Sequence, residues 1–311
     1  MIGFDGQVAI VTGAGRGLGR LYAIDLAKRG ARTVVNDLGT SSFGDGEDRK
    51  VADEVVAEIA AFGGTAVASY DSVDSPAGGA AIVQTALDTF GRLDVVVSNA
   101  GIFHTIEFES LTVDQWQRMR SVHLDGAFYL SQPAYRAMKA NGYGRFVFIA
   151  SSAGVFGQTN SAHYAAAKSG VVGLANVIAI EGAAHGIAAN TVLPFGFSRM
   201  VTDTVGEDAD KVKAESEFLR SIAPELVVPL VTFLASRSCG FTHQIYSALA
   251  GRYARVFTGL ADGWQAERGS VPSAEDIESR LAEIADTEPY IVPESIFDEI
   301  TQLVGRLGLT S

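Results

Sequence analysis

Tyr164 and Lys168 stand four residues apart in a stretch with helical spacing, so both side chains leave the same helix face. A phenol ordinarily ionises at about pH 10. An ammonium group close by favours the phenolate and draws that value toward neutrality. Such a phenolate can take the proton of an alcohol while the carbinol hydride leaves for an acceptor. Ser151 lies thirteen residues upstream at the end of an apolar run, where its hydroxyl could hold the substrate oxygen. Y-x-x-x-K alone is a common and mostly structural spacing, so the reading depends on what accompanies it.

What accompanies it is a glycine loop. Thr12-Gly13-Ala14-Gly15-Arg16-Gly17-Leu18-Gly19 falls between an apolar run and a helical pattern. Gly13 lets the chain turn at the strand end, Gly17 lets the backbone approach a pyrophosphate, and Gly19 lets the helix pack closely. The helix N-terminus presents free N–H groups and partial positive charge to the phosphates. The spacing is G-x-x-x-G-x-G, not the more widespread G-x-G-x-x-G, but its place after the first strand makes it a nucleotide site. Asp37 ends the second strand, 18 residues after Gly19. A carboxylate there accepts from both adenosine ribose hydroxyls and repels a 2′-phosphate, so NAD is the expected cofactor. Arg16 argues the other way, since it could pair with that phosphate or swing to solvent. Leu18 and Leu38, beside these residues, belong to the expected cofactor contacts.

Other chemistry-bearing residues give less. His104, His163, His185 and His243 are scattered without ligand spacing, and no metal is expected. His163 is expected on a different helix face from Tyr164, exposed. Asp45-Gly46-Glu47-Asp48 lacks the loop pattern of an EF-hand.

The elements needed to hold these residues are visible as apolar runs alternating with helical patterns. Strands are expected at Val8–Val11, Thr33–Val35, Val67–Tyr70, Asp94–Ser98, Arg145–Ile149 and Ala189–Leu193, the last ended by Pro194. Helices are expected at 18–29, 48–61, 77–90 and 161–182, with a helix-rich stretch over 112–140. Strands apolar throughout belong to sheets buried on both faces, and alternation with helices makes the sheet parallel. The fold class is α/β, a doubly wound parallel sheet of Rossmann type over residues 1–256, with a C-terminal extension over 257–311. Residues 39–48, GTSSFGDGED, read as a solvated surface loop. The acidic extension carries helices at 275–285 and 294–306 and could be a lid, a dimer arm or a packing segment.

Composition closes off several classes. Lys+Arg 24 against Asp+Glu 36 gives a formal net charge of -12, which argues against a nucleic-acid partner. Cys239 is the single cysteine, too few for an intrachain disulfide or a thiolate zinc cluster. No apolar run approaches the ~18 residues of a membrane span. With no leader pattern at Met1–Asp5 and no peroxisomal or reticulum-retention address at Gly308-Leu309-Thr310-Ser311, the expected location is the cytoplasm.

Taken together, TGAGRGLG, Asn99-Ala100-Gly101, Ser151 and Tyr164-Ala165-Ala166-Ala167-Lys168 resemble the short-chain dehydrogenase/reductase family over residues 6–250. The resemblance implies that Ser151, Tyr164 and Lys168 are catalytic, with Tyr164 the proton-transfer group and Lys168 also on the nicotinamide ribose. It implies that Asn99, Ala100 and Gly101 line the cofactor, that Asp71 and Ser72 meet the adenine, and that Pro194, Phe195, Gly196 and Phe197 lie beside the nicotinamide. Phe195, Phe197, Met200, Phe218 and Leu219 would then form either an apolar substrate pocket or ordinary core. Where the family often has asparagine in V-N-x-x-G, this chain has Val122-His123-Leu124-Asp125-Gly126. His123 either holds a water or backbone group in the proton relay, or is a capping or buried structural histidine.

A narrower likeness lies in Val34–Gly39, Tyr70-Asp71-Ser72-Val73, Val122-His123-Leu124, Gly173–Asn176, Ala179–Gly182 and Ser198-Arg199-Met200. These resemble the branch that includes the (3R)-hydroxyacyl-CoA dehydrogenase domain of the peroxisomal multifunctional enzyme, also linked to 17β-hydroxysteroid oxidation. In that branch histidine for asparagine is familiar. The hydratase and sterol-carrier portions are missing, so a free-standing dehydrogenase is expected, and the tail beyond 257 does not match. The expectation is an NAD-dependent oxidoreductase of a lipid-like secondary alcohol or ketone, such as a 3-hydroxyacyl-CoA, working as a homodimer or homotetramer. A hydroxysteroid, terpene alcohol or small diol is the alternative substrate, and a non-catalytic dinucleotide sensor the remote one. No basic cluster for a polyanionic thioester is evident.

Overall fold

Apolar runs bounded by glycine and aspartate form the strands. They are β1 (Val8–Thr12), β2 (Arg32–Asn36), β3 (Thr65–Ser69), β4 (Val95–Ser98), β5 (Gly144–Ile149), β6 (Ile187–Phe195), β7 (Gln244–Leu249) and β8 (Arg252–Val256). The computed structural model describes residues 1–41, 43–195 and 222–306. The eight strands make one sheet in the order β3-β2-β1-β4-β5-β6-β7-β8. Pairing is parallel from β3 to β7, with Ile10 facing Val34 on one side and Val96 on the other. β8 returns beside β7 through Ala250 and Gly251, both with positive φ (51° and 78°), the two-residue turn that closes an antiparallel hairpin.

Side chains alternate across the sheet, and both faces are covered. Ala9, Val11, Val35, Val95, Val97, Val147 and Ile149 pack on α1 (Gly17–Lys28), α2 (Lys50–Ala61) and the helix Val228–Ala235, around Tyr22, Leu26, Ile59 and Val231. The alternate positions Ile10, Val34, Val96, Phe146 and Phe148 are equally buried. The opposite face carries α3 (Pro76–Phe90), α5 (Gly126–Asn141) and α7 (Ala162–Gly182). The winding reverses between β1 and β4, and such a reversal opens a crevice at the carboxyl ends of the strands. Among the described residues, no helix is long and apolar enough to cross a membrane.

Two details depart from the sequence reading. β6 runs on through Pro194, which pairs with Ala248 of β7. Pairing with β5 stops at Val192, so the missing proline N–H costs no bond on that side. In the C-terminal segment, the helix expected at 275–285 divides into Ala274–Ser279 and Leu281–Ile284. The chain divides into two compact units, Met1–Arg255 and Val256–Ser311. The second contains a short antiparallel pair, Leu260–Ala261 with Tyr290–Ile291, and the helix Ile296–Arg306.

At the amino ends of the strands, away from the crevice, Asp94 is fully buried. Its carboxylate accepts from the Val8 amide at 2.8 Å and from Arg92 Nε at 2.8 Å and Nη2 at 2.6 Å. Asp94→Ala leaves that amide and guanidinium without their acceptor, and is expected to cost roughly 2–3 kcal/mol of stability. Urea unfolding should show the loss with turnover per folded molecule unchanged; unchanged stability would refute this bracing role.

Candidate active site

The carboxyl ends of β1, β2, β4, β5 and β6 open into one cleft of about 480 Å³. It runs from the glycine loop and Asp37 to Ser151, Tyr164 and Lys168, so the two groups singled out in the sequence share one chamber.

At the glycine loop, a Cβ on Gly19 would meet the Gly13 carbonyl oxygen at 2.1 Å, which shows how closely α1 starts against the strand end. Gly17 adopts φ +52° beside open space. Asn99 ties the loop to β4: its Nδ2 donates to the Thr12 carbonyl at 2.9 Å and the Gly13 carbonyl at 3.2 Å, and its amide donates to Thr12 Oγ1 at 3.0 Å. Asp37 is held at both oxygens, by the Gly15 amide at 2.8 Å and the Gly39 amide at 2.7 Å. Arg16 is turned toward the β2–α2 loop, with Nη1 donating to the Thr40 carbonyl at 3.4 Å. Leu18, Leu38, Asp71, Ser72, Ala100, Gly101 and Pro194 also line the cleft. The Asp71 carbonyl accepts from Asn36 Nδ2 at 2.9 Å, and Ser72 Oγ donates to Asp74 at 2.7 Å. A glycine cradle open to the cleft, a helix N-terminus and a fixed carboxylate at the second strand are the parts a dinucleotide requires, and they fit one. Gly196 and Phe197 lie outside the described residues, as do Met200, Phe218 and Leu219; Phe195 lines the cleft.

At the other end, Ser151 follows β5 after Ala150. Its hydroxyl accepts from the Ala153 amide at 3.2 Å and lies close enough to the Tyr164 phenol to favour its ionised form. Lys168 is only 5% exposed, and its Nζ donates to the Ile149 carbonyl at 2.7 Å, 5.7 Å from the centre of the Tyr164 ring. Burial lowers the Lys168 ammonium to about 7. Burial also raises the Tyr164 phenol above its ordinary value, with the Ser151 hydroxyl acting the other way. The expected depression of the phenol by Lys168 is therefore absent: loss of water outweighs the lysine, whose charge is itself suppressed.

Tyr164 is wedged between two ring edges, Phe103 at 4.9 Å and His123 at 5.2 Å between centroids. His123 sits in a π-helical turn, Ser121–Asp125, between α4 (Val113–Arg120) and α5. It is 4% exposed, with Nε2 2.7 Å from the Ile102 carbonyl oxygen. The Ile102 amide nitrogen also lies 3.2 Å from Nε2, a contact that asks the opposite tautomer of this nitrogen, while Nδ1 is buried with no partner among the described residues. Burial, then the nearby Lys168, hold His123 well below its usual pKa, so the ring is neutral. Gly101 exists because of this ring: a Cβ there would lie 2.4 Å from His123 Cε1. The ring is thus buried, in contact with backbone and beside the phenol, an arrangement common to both roles open in the sequence.

Two expectations are overturned. His163 is buried, 2% exposed, not solvent-facing, and its Nε2 lies 3.0 Å from His104 Nε2. The "scattered" histidines thus include a contacting pair, because the segment after β4 folds back on α7; no cluster of three metal-capable groups occurs among the described residues. The 39–48 loop is also not simply solvated, since Thr40, Ser41 and a buried Gly44 line the cleft. Sequence reasoning missed Arg118, Phe103 and Gln158, which line it too; no spacing signal marks them, because the fold alone brings these segments together.

The family description short chain dehydrogenase matches residues 7–210. A protein of Mycobacterium tuberculosis named as a short-chain type dehydrogenase/reductase is 41% identical over 286 residues, 92% of this chain and 96% of that one. Peroxisomal multifunctional enzyme type 2 of Mus musculus is 44% identical over 248 residues, 80% of this chain but only 32% of that enzyme. The structure of full-length peroxisomal multifunctional enzyme type 2 from Drosophila melanogaster superposes with a TM-score of 0.80 at 29% identity, covering 99% of this chain and 50% of that one. The 286-residue match runs past Arg255, whereas the match to the mouse multifunctional enzyme covers 248 residues. Fold, cleft and relatives agree, and the chain is a short-chain dehydrogenase/reductase, an oxidoreductase of the family that works with a nicotinamide dinucleotide.

Proposed function

We propose that this chain oxidises a lipid-like secondary alcohol to the ketone, or reduces the ketone, with NAD as partner, and that 3-hydroxyacyl-CoA is the substrate class. The observation that carries the reading is the one cleft that joins Asp37 and the glycine loop to Ser151, Tyr164 and Lys168. The two multifunctional enzymes named above support the substrate class. An assembly of two or four copies and a cytoplasmic setting belong to the same proposal; the peroxisomal names of those relatives raise an organellar one, which cell fractionation separates.

In this reading Ser151 Oγ donates to the alcohol oxygen, and Tyr164 Oη, as phenolate after its own proton has passed to solvent, takes the alcohol proton as the carbinol C–H bond breaks. When bound, the oxidised nicotinamide supplies the acceptor for the hydride. Lys168, anchored on the Ile149 carbonyl, holds the amine beneath the phenol ring and biases where the proton rests. Phe103 and His123 keep the phenol from rotating out of reach. Asp37 would accept from the adenosine ribose and set its charge against a 2′-phosphate.

Tyr164→Phe is expected to lower turnover by about 10²–10⁴, the span of general acid–base catalysis, with NADH binding by fluorescence retained; near-normal turnover sinks the role. Asp37→Ala and Asp37→Asn separate charge from scaffold. Both should narrow the NAD/NADP preference in kcat/KM, while Asn keeps an acceptor for one of the Gly15 and Gly39 amides and Ala for neither. An unchanged ratio in both contradicts the ribose contact. Lys168 makes a pH-dependent claim. In the folded chain it loses its proton near about 7, in the unfolded chain near 10.5. Between those values the unfolded state holds more protons, so stability contributed at this site rises with pH, and the burden is greatest below 7. Lys168→Met should therefore raise Tm relative to the parent more at pH 6 than at pH 9.5, while abolishing turnover; a pH-independent difference rules this out. A panel of 3-hydroxyacyl-CoAs, hydroxysteroids, terpene alcohols and small diols, followed by NADH absorbance, decides the substrate class.

A further inference from the structure

The β2–α2 loop does more than connect. It is closed on itself, with the Asp48 amide donating to the Leu38 carbonyl at 3.1 Å and the Ser41 amide to the Asp45 carbonyl at 2.8 Å. Its described tip reaches across the cleft. Gly44 is buried with φ +90°, and a Cβ there would lie 3.0 Å from both Ile102 Cγ2 and Arg118 Nη2. Arg118 Nη2 donates to the Gly44 carbonyl at 2.5 Å. From the glycine-loop side, Arg16 reaches Thr40 of the same loop. The salt bridges among the described residues include neither Arg16 nor Arg118. In a chain of net charge -12, two cleft-lining guanidinium groups are thus spent on backbone carbonyls of one loop.

We infer that the loop is a strap across the mouth of the dinucleotide cleft, and that Arg118 is the positioning residue that latches it and so sets the rate of dinucleotide exchange. This rests on the dinucleotide reading above. The geometry supplies the reason. The loop leaves β2 at Asp37, on the ribose side, and its tip lands on Ile102, just beyond the Asn99-Ala100-Gly101 segment on the other side. A dinucleotide lying between these points passes beneath the tip, and its entry and departure require the Gly44–Arg118 contact to open. The latch holds no reacting atom, so its loss changes traffic and not chemistry.

The test uses the full chain and stopped-flow fluorescence of NADH, with Arg118→Met, which keeps the stem and removes the donors, and Gly44→Ala, which crowds the contact from the loop side. In both, association and dissociation rates of NADH should rise by roughly tenfold, the equilibrium weight of one charge-assisted hydrogen bond, with the dissociation constant changing less than either rate. Amide hydrogen exchange at Gly44–Glu47 should quicken in the dinucleotide-free variants. The single-turnover rate of hydride transfer at saturating NADH should stay at the parent value. NADH rates equal to the parent in a folded Arg118→Met chain overturn the latch and leave the function standing. A slowed hydride-transfer step with unchanged exchange also overturns it, because Arg118 would then act on chemistry. If the parent chain binds no NADH, the dinucleotide reading falls, and the strap with it.

Discussion

Water removed from a lysine and a phenol is the constraint from which the rest of the site follows. Lys168 is carried inward on α7 and has the Ile149 carbonyl as its hydrogen-bond acceptor, at the last residue of β5. A buried amine that lost this acceptor would leave donors unpaired in a medium that penalises them. The end of β5 and the first turns of α7 are therefore fixed relative to each other, and Ser151 is fixed with them. Burial shifts the two groups in opposite directions, each toward its neutral form. Near neutral pH the Lys168 amine, at about 7, stands close to the midpoint between its charged and neutral forms.

The same constraint explains the surroundings of His123. The π turn carries one extra residue through the helix, and this brings the imidazole to the Ile102 backbone and edge-on to Tyr164. A neutral ring suits that position, because a second cation beside Lys168 would weaken the lysine further. Gly101 gives up its side chain to make room. Lysine, tyrosine, histidine and glycine thus form one packed unit rather than four separate choices.

The fold was legible because its strands are apolar on both faces and its helices are punctuated by glycine, so periodicity and turn chemistry agreed from Val8 to Leu193. Tyr164 and Lys168 could be singled out because they share one helix face, and Ser151 and Asp37 because they close apolar strand runs. Arg118, Phe103 and Gly44 could not, since they meet only through crossovers between distant segments. His163 was misjudged because helix position says where a side chain leaves, not what later folds over it. The phenol's ionisation was misjudged for a related reason: proximity of charge can be guessed from spacing, while the loss of water that opposes it depends on the whole enclosure.

The two backbone amides that grip Asp37 reach further than the acid itself. One belongs to the first glycine loop and the other to the strap, so this side chain is a joint between two segments as well as a chemical group. Under the dinucleotide proposal above, replacing the acid would loosen both turns together, so coenzyme preference and the architecture of the two loops would change as one.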